Sequence, residues 1–433
     1  MSYFVYQQGI KKKINSKNIS SEKKQEYSIL IIRFRGGVSK HTDEFNKANG
    51  LLRKKVHDKA GHIYLCYFKK MSVNKLAALA KTYYDSGIAE FAEPYVLHHI
   101  QNTAISLNDP KFSTQWILEN TGQFNGIPGD DIGILDGLKL IADNQLTLDK
   151  TICVAVLDEG VDTTHPDLRD PNLWHQNFSV FGANKLLPKD KDHHGTSVAG
   201  VIAAIQDNGV GIAGINPFCK IMSGRIYFTQ DNVGGVNALR ISEGIKRAVD
   251  NNARVINLSW RMEPSPLVAE AIQYGFSKGV IFCAAAGNYV RASDDHAVQF
   301  PGRMDEVITV AAVNNKSEWV NLVNTPSDQK FGSCYGREVD IAAPGLFIST
   351  TRNNGKYTDI FCGTSAATAI VSAIAAILVA INPALTATDV RDCLLSTADA
   401  VSSEAGLEHL NRVGHGKINA YKAIEKAIET VLL

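Results

Sequence analysis

Three things are scarce in this 433-residue chain: net charge, pairable cysteines and a hydrophobic leader. Lysine plus arginine number 45 and aspartate plus glutamate 44, a formal charge of +1. That balance offers neither the basic footprint of a nucleic-acid binder nor a trap for acidic substrates, so no nucleic-acid partner is expected. The opening stretch, MSYFVYQQGIKKKINSKN, sets its basic cluster after a short mixed segment and has no apolar core, unlike a secretory signal. No window of about 18 apolar residues is free of polar ones, so neither a membrane span nor a membrane partner is expected. The seven cysteines (Cys66, Cys153, Cys219, Cys283, Cys334, Cys362, Cys393) are odd in number and include no CxxC pair. Buried free thiols in a reducing, cytoplasmic setting fit better than a disulfide framework or a zinc site.

What is present is ordinary globular composition, 45% hydrophobic and 21% charged, at a length that suits two domains. Residues 1–26 are rich in Lys, Ser and Asn and read as a mobile tail. Residues 27–107 read as a small α+β domain. Strand-like YSILIIRF opens it, a helix is expected near Asp43 to Val56, and strand-like HIYLCYF (62–68) follows. A second helix spans Val73 to Asp85, then comes a third strand-like run at 88–100. Gln101 to Asn108 is polar and serves as a linker.

Residues 108–433 form the larger part. Apolar runs of strand length recur at 151–158, 220–226, 253–260, 279–287, 307–313 and 339–344, with helical patterns at 194–206, 233–251, 264–278 and 365–381. Continuously apolar strands alternating with helices predict an α/β fold, a doubly wound, mostly parallel sheet covered on both faces. A ligand site in such a fold lies beyond the carboxyl ends of its strands, where Asp158 and Asn288 stand.

The longest apolar run closes Gly355 to Asn382, GKYTDIFCGTSAATAIVSAIAAILVAIN. It is too long for a strand and reads as a helix buried in a large domain, with Ser365 at its N-terminal edge after Gly363-Thr364. Alone, Ser365 would be a helix cap, Asp158 a turn residue and His194 a structural histidine. Together, in the chain order Asp, His, Ser, they supply a nucleophile, a base and a group to fix the base.

With these stretches in view, the sequence resembles the subtilisin-like serine proteases. The resemblance is carried by VAVLDEGVDTTHPDL (154–168), HGTSVAGVIAA (194–204), VINLSW (255–260), AAAGN (284–288), FPGRMDEVITVAAV (300–313), VDIAAPG (339–345) and GTSAAT (363–368). It implies that Asp158 orients, His194 acts as general base and acid, Ser365 attacks, and Asn288 donates to the oxyanion. It implies a peptide or protein substrate lying along Ser259, Trp260 and Arg261, with Gly287 and Gln299 at the primary specificity pocket. No cofactor is implied for catalysis. A structural calcium site is implied at Asp109, Asp167, Ile205, Asn208, Val210 and Ile212. The unit at 27–107 resembles the family's propeptide, an intramolecular inhibitor removed by self-processing, with the cut expected between Ile100 and Leu107. The chain departs from the family pattern at Glu159, where Ser or Thr is usual, at Ser197, where His is common, and at Ala366 and Ala369 in place of Met and Pro.

Overall fold

In the computed structural model the described residues are 2–7, 10–15, 27–58, 62–71, 73–94, 107–180, 193–230, 233–235, 237–401 and 407–432. They fall into two compact units, residues 1–103 and 104–433. The expected linker and cut segment, apart from Leu107 and Asn108, lie outside the described residues.

The first unit contains β1 (Ser2–Gln7), β2 (Ile10–Asn15), β3 (Tyr27–Phe34), α1 (Lys40–Ala48), β4 (Leu51–Asp58), β5 (Ile63–Lys69), α2 (Val73–Asp85) and β6 (Ala89–Pro94). Its antiparallel sheet has the order β2-β1-β6-β3-β5-β4, so β3 to β6 build a split β-α-β arrangement. Alternation in β3 sets the core: Leu30, Ile32 and Phe34 are buried, while Ile29, Ile31 and Arg33 point to the other, half-buried face. The Tyr83 hydroxyl donates to Asn46 Oδ1 at 2.8 Å and joins the two helices. Two expectations are corrected. The helix expected over Asp43 to Val56 stops at Ala48, because Gly50 turns at φ +76° and the following residues pair with β5 as a strand. Part of the expected tail, Ser2–Gln7 and Ile10–Asn15, is a hairpin added beside β6. The segment IKKKIN forms its outer strand.

The second unit runs α3 (Ile134–Asp143), β7 (Cys153–Asp158), β8 (Trp174–Ser179), α4 (His194–Ala203), β9 (Lys220–Arg225), a small hairpin of β10 (Phe228–Gln230) and β11 (Val233–Gly235), α5 (Ala238–Asp250), β12 (Val255–Leu258), α6 (Pro266–Ser277), β13 (Ile281–Ala285), β14 (Asn288–Tyr289), β15 (Val307–Val313), β16 (Gly332–Ser333), β17 (Ile341–Pro344), β18 (Ile348–Arg352), β19 (Lys356–Phe361), α7 (Thr364–Ile381), α8 (Ala387–Ser396), α9 (Leu407–Val413) and α10 (Ala420–Leu432). Seven strands pair in parallel in the order β17-β15-β13-β12-β7-β9-β8.

The strand sequences explain the two covered faces. In β7, Val154 and Val156 join the core with α4 and α7, whereas Cys153, Ala155 and Leu157 join the core with α5 and α6. In β13, Cys283 faces the first and Phe282 the second. Both faces are apolar, so the strands read as unbroken hydrophobic runs. Helix α7 is long and apolar enough to cross a bilayer, with mean hydropathy 2.2 over its 18 residues, yet every one of them is buried inside the unit. Its isoleucines and leucine each contribute about 1.5–3 kcal/mol through that burial. Chain order reverses at β7, whose neighbours are β9 on one side and β12 on the other. The crevice beyond their carboxyl ends is where Asp158 and Ser259 emerge.

Candidate active site

Asp158 is the last residue of β7, held between two parallel neighbours and only 3% exposed. Its carbonyl accepts from Ile226 N at 2.9 Å, which fixes the backbone just where the carboxylate leaves the sheet. The carboxylate accepts from Glu159 N at 2.8 Å and from His194 Nδ1 at 2.9 Å (Oδ2) and 3.1 Å (Oδ1). With Nδ1 donating, Nε2 is the acceptor of the neutral ring, the tautomer a general base requires.

His194 opens α4, and the residue after it must be small. A Cβ on Gly195 would stand 2.3 Å from the Gly160 carbonyl and 3.0 Å from Asp158 Cβ, so only glycine lets the helix start rest on the end of β7. Behind it, Ser197 Oγ donates to the Thr351 carbonyl at 2.8 Å, and Thr350 and Thr351 hydroxyls donate to the Ser197 and Thr196 carbonyls at 2.6 and 2.7 Å. Ser197, standing where the family commonly has His, therefore pins α4 to β18. The ring edge of His194 meets Phe361 at 5.7 Å between centroids. Burial by itself would lower the His194 pKa, but the charge and hydrogen bonds of Asp158, reinforced by the charge of Glu159, outweigh it and raise the pKa to about 9.

Ser365 stands in the first turn of α7 and is 8% exposed. Its hydroxyl donates to the Ser259 carbonyl at 3.0 Å rather than to His194, while Ser259 Oγ donates to the Ser365 carbonyl at 2.9 Å. Asn257 Nδ2 donates to Ser259 Oγ at 2.8 Å, and Ser372 Oγ donates to Asn257 Oδ1 at 3.0 Å, so β12 and α7 are stitched together by side chains beneath Ser365.

Asn288 follows Gly287, whose φ of +110° turns the chain out of β13. Its Oδ1 accepts from both the backbone N–H (3.0 Å) and the hydroxyl (3.1 Å) of Thr364. That leaves Nδ2 to donate, beside Gly363: a Cβ there would come within 3.0 Å of it, and φ +112° also demands glycine. The amide is thus held by its oxygen at the start of α7, with Nδ2 left to donate beside Gly363. Thr364, the middle residue of GTS, was not singled out from sequence. Its role is visible only once Asn288 is brought alongside.

Of the expected substrate contacts, Arg261 is exposed at the carboxyl end of β12. Trp260 is tied back by its indole N–H to the Leu157 carbonyl at 2.8 Å and packs against the α5–α6 core. Gln299 lies against Gly287, where a Cβ would approach Gln299 Cγ to 2.5 Å and Cys334 Sγ to 3.2 Å. Its amide donates to the Ala297 carbonyl at 2.8 Å.

The expected calcium residues also converge. Asp109 accepts from Asp207 N (2.9 Å) and Asn208 N (3.2 Å), and Asp167 from Asn208 Nδ2 (2.9 Å) and Ile212 N (2.9 Å). Both carboxylates are buried, and burial pushes Asp167 up to about 6 despite those donors. Two buried carboxylates and the Asn208 amide supply hard oxygens of the kind calcium takes, each here accepting from an N–H group of the same loop.

All seven cysteines are free, six of them buried, and burial raises the pKa of each thiol. Cys362, three residues before Ser365, is pushed up as well and is no rival nucleophile.

A family model, that of the subtilase family, matches residues 149–416, more than half of the chain. The cell wall-associated protease of Bacillus subtilis (strain 168) is 32% identical over 376 residues, 82% of this chain and 39% of that protein. Thermitase of Thermoactinomyces vulgaris is 32% identical over 276 residues, 63% of this chain and 88% of thermitase. The thermophilic serine proteinase of Bacillus sp. (strain AK1) is 29% identical over 359 residues, 82% and 78% of the two chains. The chain therefore spans about two-fifths of the length of the first of these relatives and most of the other two. A parallel sheet with Asp158, His194, Asn288 and Ser365 gathered at its carboxyl edge, and a family match across that whole sheet, lead to one conclusion: the chain belongs to the subtilase family of subtilisin-like serine proteases.

Proposed function

We propose that the chain is a serine endopeptidase with Asp158, His194 and Ser365 as its triad. Ser365 Oγ turns from the Ser259 carbonyl, gives its proton to His194 Nε2 and bonds to the carbonyl carbon of a peptide. Asp158 holds the imidazolium that results. The oxygen that becomes negative accepts from Asn288 Nδ2 and from Ser365 N–H, and such a donor is worth about 3–4 kcal/mol. The C–N bond then breaks as His194 returns the proton to the departing amine, leaving an ester on Ser365. Water hydrolyses the ester by the same transfers in reverse roles. The observation that carries the reading is the Asn288 amide, its Oδ1 held by the Thr364 N–H and hydroxyl one residue before Ser365, which leaves Nδ2 to donate. Peptide hydrolysis by the wild type, abolished in a folded Ser365→Ala variant, is the test; hydrolysis that survives the substitution would refute it.

The first unit is proposed to be a propeptide that the enzyme removes from itself, a reading supported by its small split β-α-β core preceding a subtilase domain. Wild type should shorten by a cut between Ile100 and Leu107 while Ser365→Ala stays whole, and the released fragment should inhibit. A wild type that is fully active without shortening would make the unit a permanent accessory. Calcium is proposed to bridge the Asp109–Asp167 loop site in a structural role. The free thiols support a reducing compartment, the cytoplasm, as the place of action.

A further inference from the structure

Helix α4 lacks an ordinary N-terminal cap. Its N-cap residue, His193, makes no side-chain cap bond, and the first turn contains no acidic residue. A helix start leaves backbone N–H groups without partners, and they favour a negative group nearby. Glu159 supplies one from outside the helix: its Oε2 accepts from His194 N at 3.3 Å. The approach is possible because the glycine at 195 lets α4 sit directly on residues 158–160.

Adjacent residues therefore hold the histidine at both ends, Asp158 by the imidazole and Glu159 by the backbone. The Phe361 ring from β19 is uncharged, and Arg352 on β18 is engaged at 2.8 Å by His193 Nε2. We propose that Glu159 is a positioning residue, capping α4 so that His194 is pressed against the end of β7, and placing a second negative charge beside the base. The proposal rests on the endopeptidase reading, in which His194 takes the Ser365 proton. Its consequence is functional tuning: the imidazolium formed during attack is favoured, and the free base becomes available only at higher pH.

Glu159→Gln keeps an acceptor and removes the charge, whereas Glu159→Ala removes both. In the full chain, kcat/KM on a peptide should be followed against pH, and the His194 Nδ1 proton resonance titrated in parallel. For Glu159→Gln both ionisations should fall by about 1 pH unit. For Glu159→Ala they should fall likewise, with a lower kcat on the alkaline plateau. Unmoved ionisations would overturn the proposal, and so would a change in KM alone, which would make Glu159 a substrate contact. Should Glu159→Ala not fold, Glu159→Gln still decides. Failure of the wild type to hydrolyse any peptide would instead sink the endopeptidase reading, leaving the resonance titration to judge Glu159.

Discussion

Ser365 and Ser259 exchange hydrogen bonds: the Ser365 hydroxyl donates to the Ser259 carbonyl at 3.0 Å, and the Ser259 hydroxyl donates to the Ser365 carbonyl at 2.9 Å. The same Ser259 hydroxyl accepts from Asn257, so one side chain couples the end of β12 to the start of α7. Ser259→Ala should cost about 1–3 kcal/mol by leaving buried polar groups without this partner. Denaturant melts should show that loss. Because the nucleophile's helix is then less well fixed, kcat should fall more than KM rises.

Asn288→Ala removes the proposed side-chain oxyanion donor and leaves the two Thr364 groups that hold its Oδ1 without that acceptor. A drop in kcat of about 100- to 1,000-fold is expected, with KM little changed, since the bond forms fully only in the transition state. Steady-state kinetics on one peptide checks it. A variant impaired mainly in KM would place Asn288 in substrate binding instead.

The raised pKa of His194 carries a sign for both activity and stability. Activity through kcat/KM should climb as the imidazole loses its proton, on a limb near pH 9 rather than near 6.5. For stability, the folded pKa lies above the unfolded value of 6.5, so the Asp158–His194 pair contributes fully below about pH 6.5. That contribution fades as pH rises through about 9. The difference in thermal midpoint between wild type and His194→Ala should shrink over the same range.

Calcium should raise the thermal midpoint after chelator treatment by binding the folded chain, worth about 2.7 kcal/mol at one hundred times Kd. Asp167→Ala should lose that response and keep fluorophosphonate labelling. A wild type indifferent to calcium would remove the metal from this loop.

Much of the fold was legible because both faces of the sheet are covered: strands such as VITVAAV (307–313) have nowhere polar to point. Helix α7 was legible for the same reason. Strand β8 is not legible in the sequence because it lies at a sheet edge, where WHQNFS alternates half-buried and exposed residues before two buried ones and includes polar ones. The expected helix at 43–56 failed at Gly50, since a charged amphipathic run such as LLRKKVHD suits an edge strand as well as a helix. The proposed triad rests on motifs that are legible in the sequence. Its supports, Thr364 on Asn288 and Glu159 on the His194 backbone, could not, because they depend on which atoms of distant segments meet.

The most direct measurement of the central claim is a fluorophosphonate reaction read by intact mass and peptide mapping. A single adduct on Ser365, formed by the wild type and absent from both Ser365→Ala and His194→Ala, is the expected result. An adduct on another residue, or labelling of Ser365 that persists without His194, would contradict it.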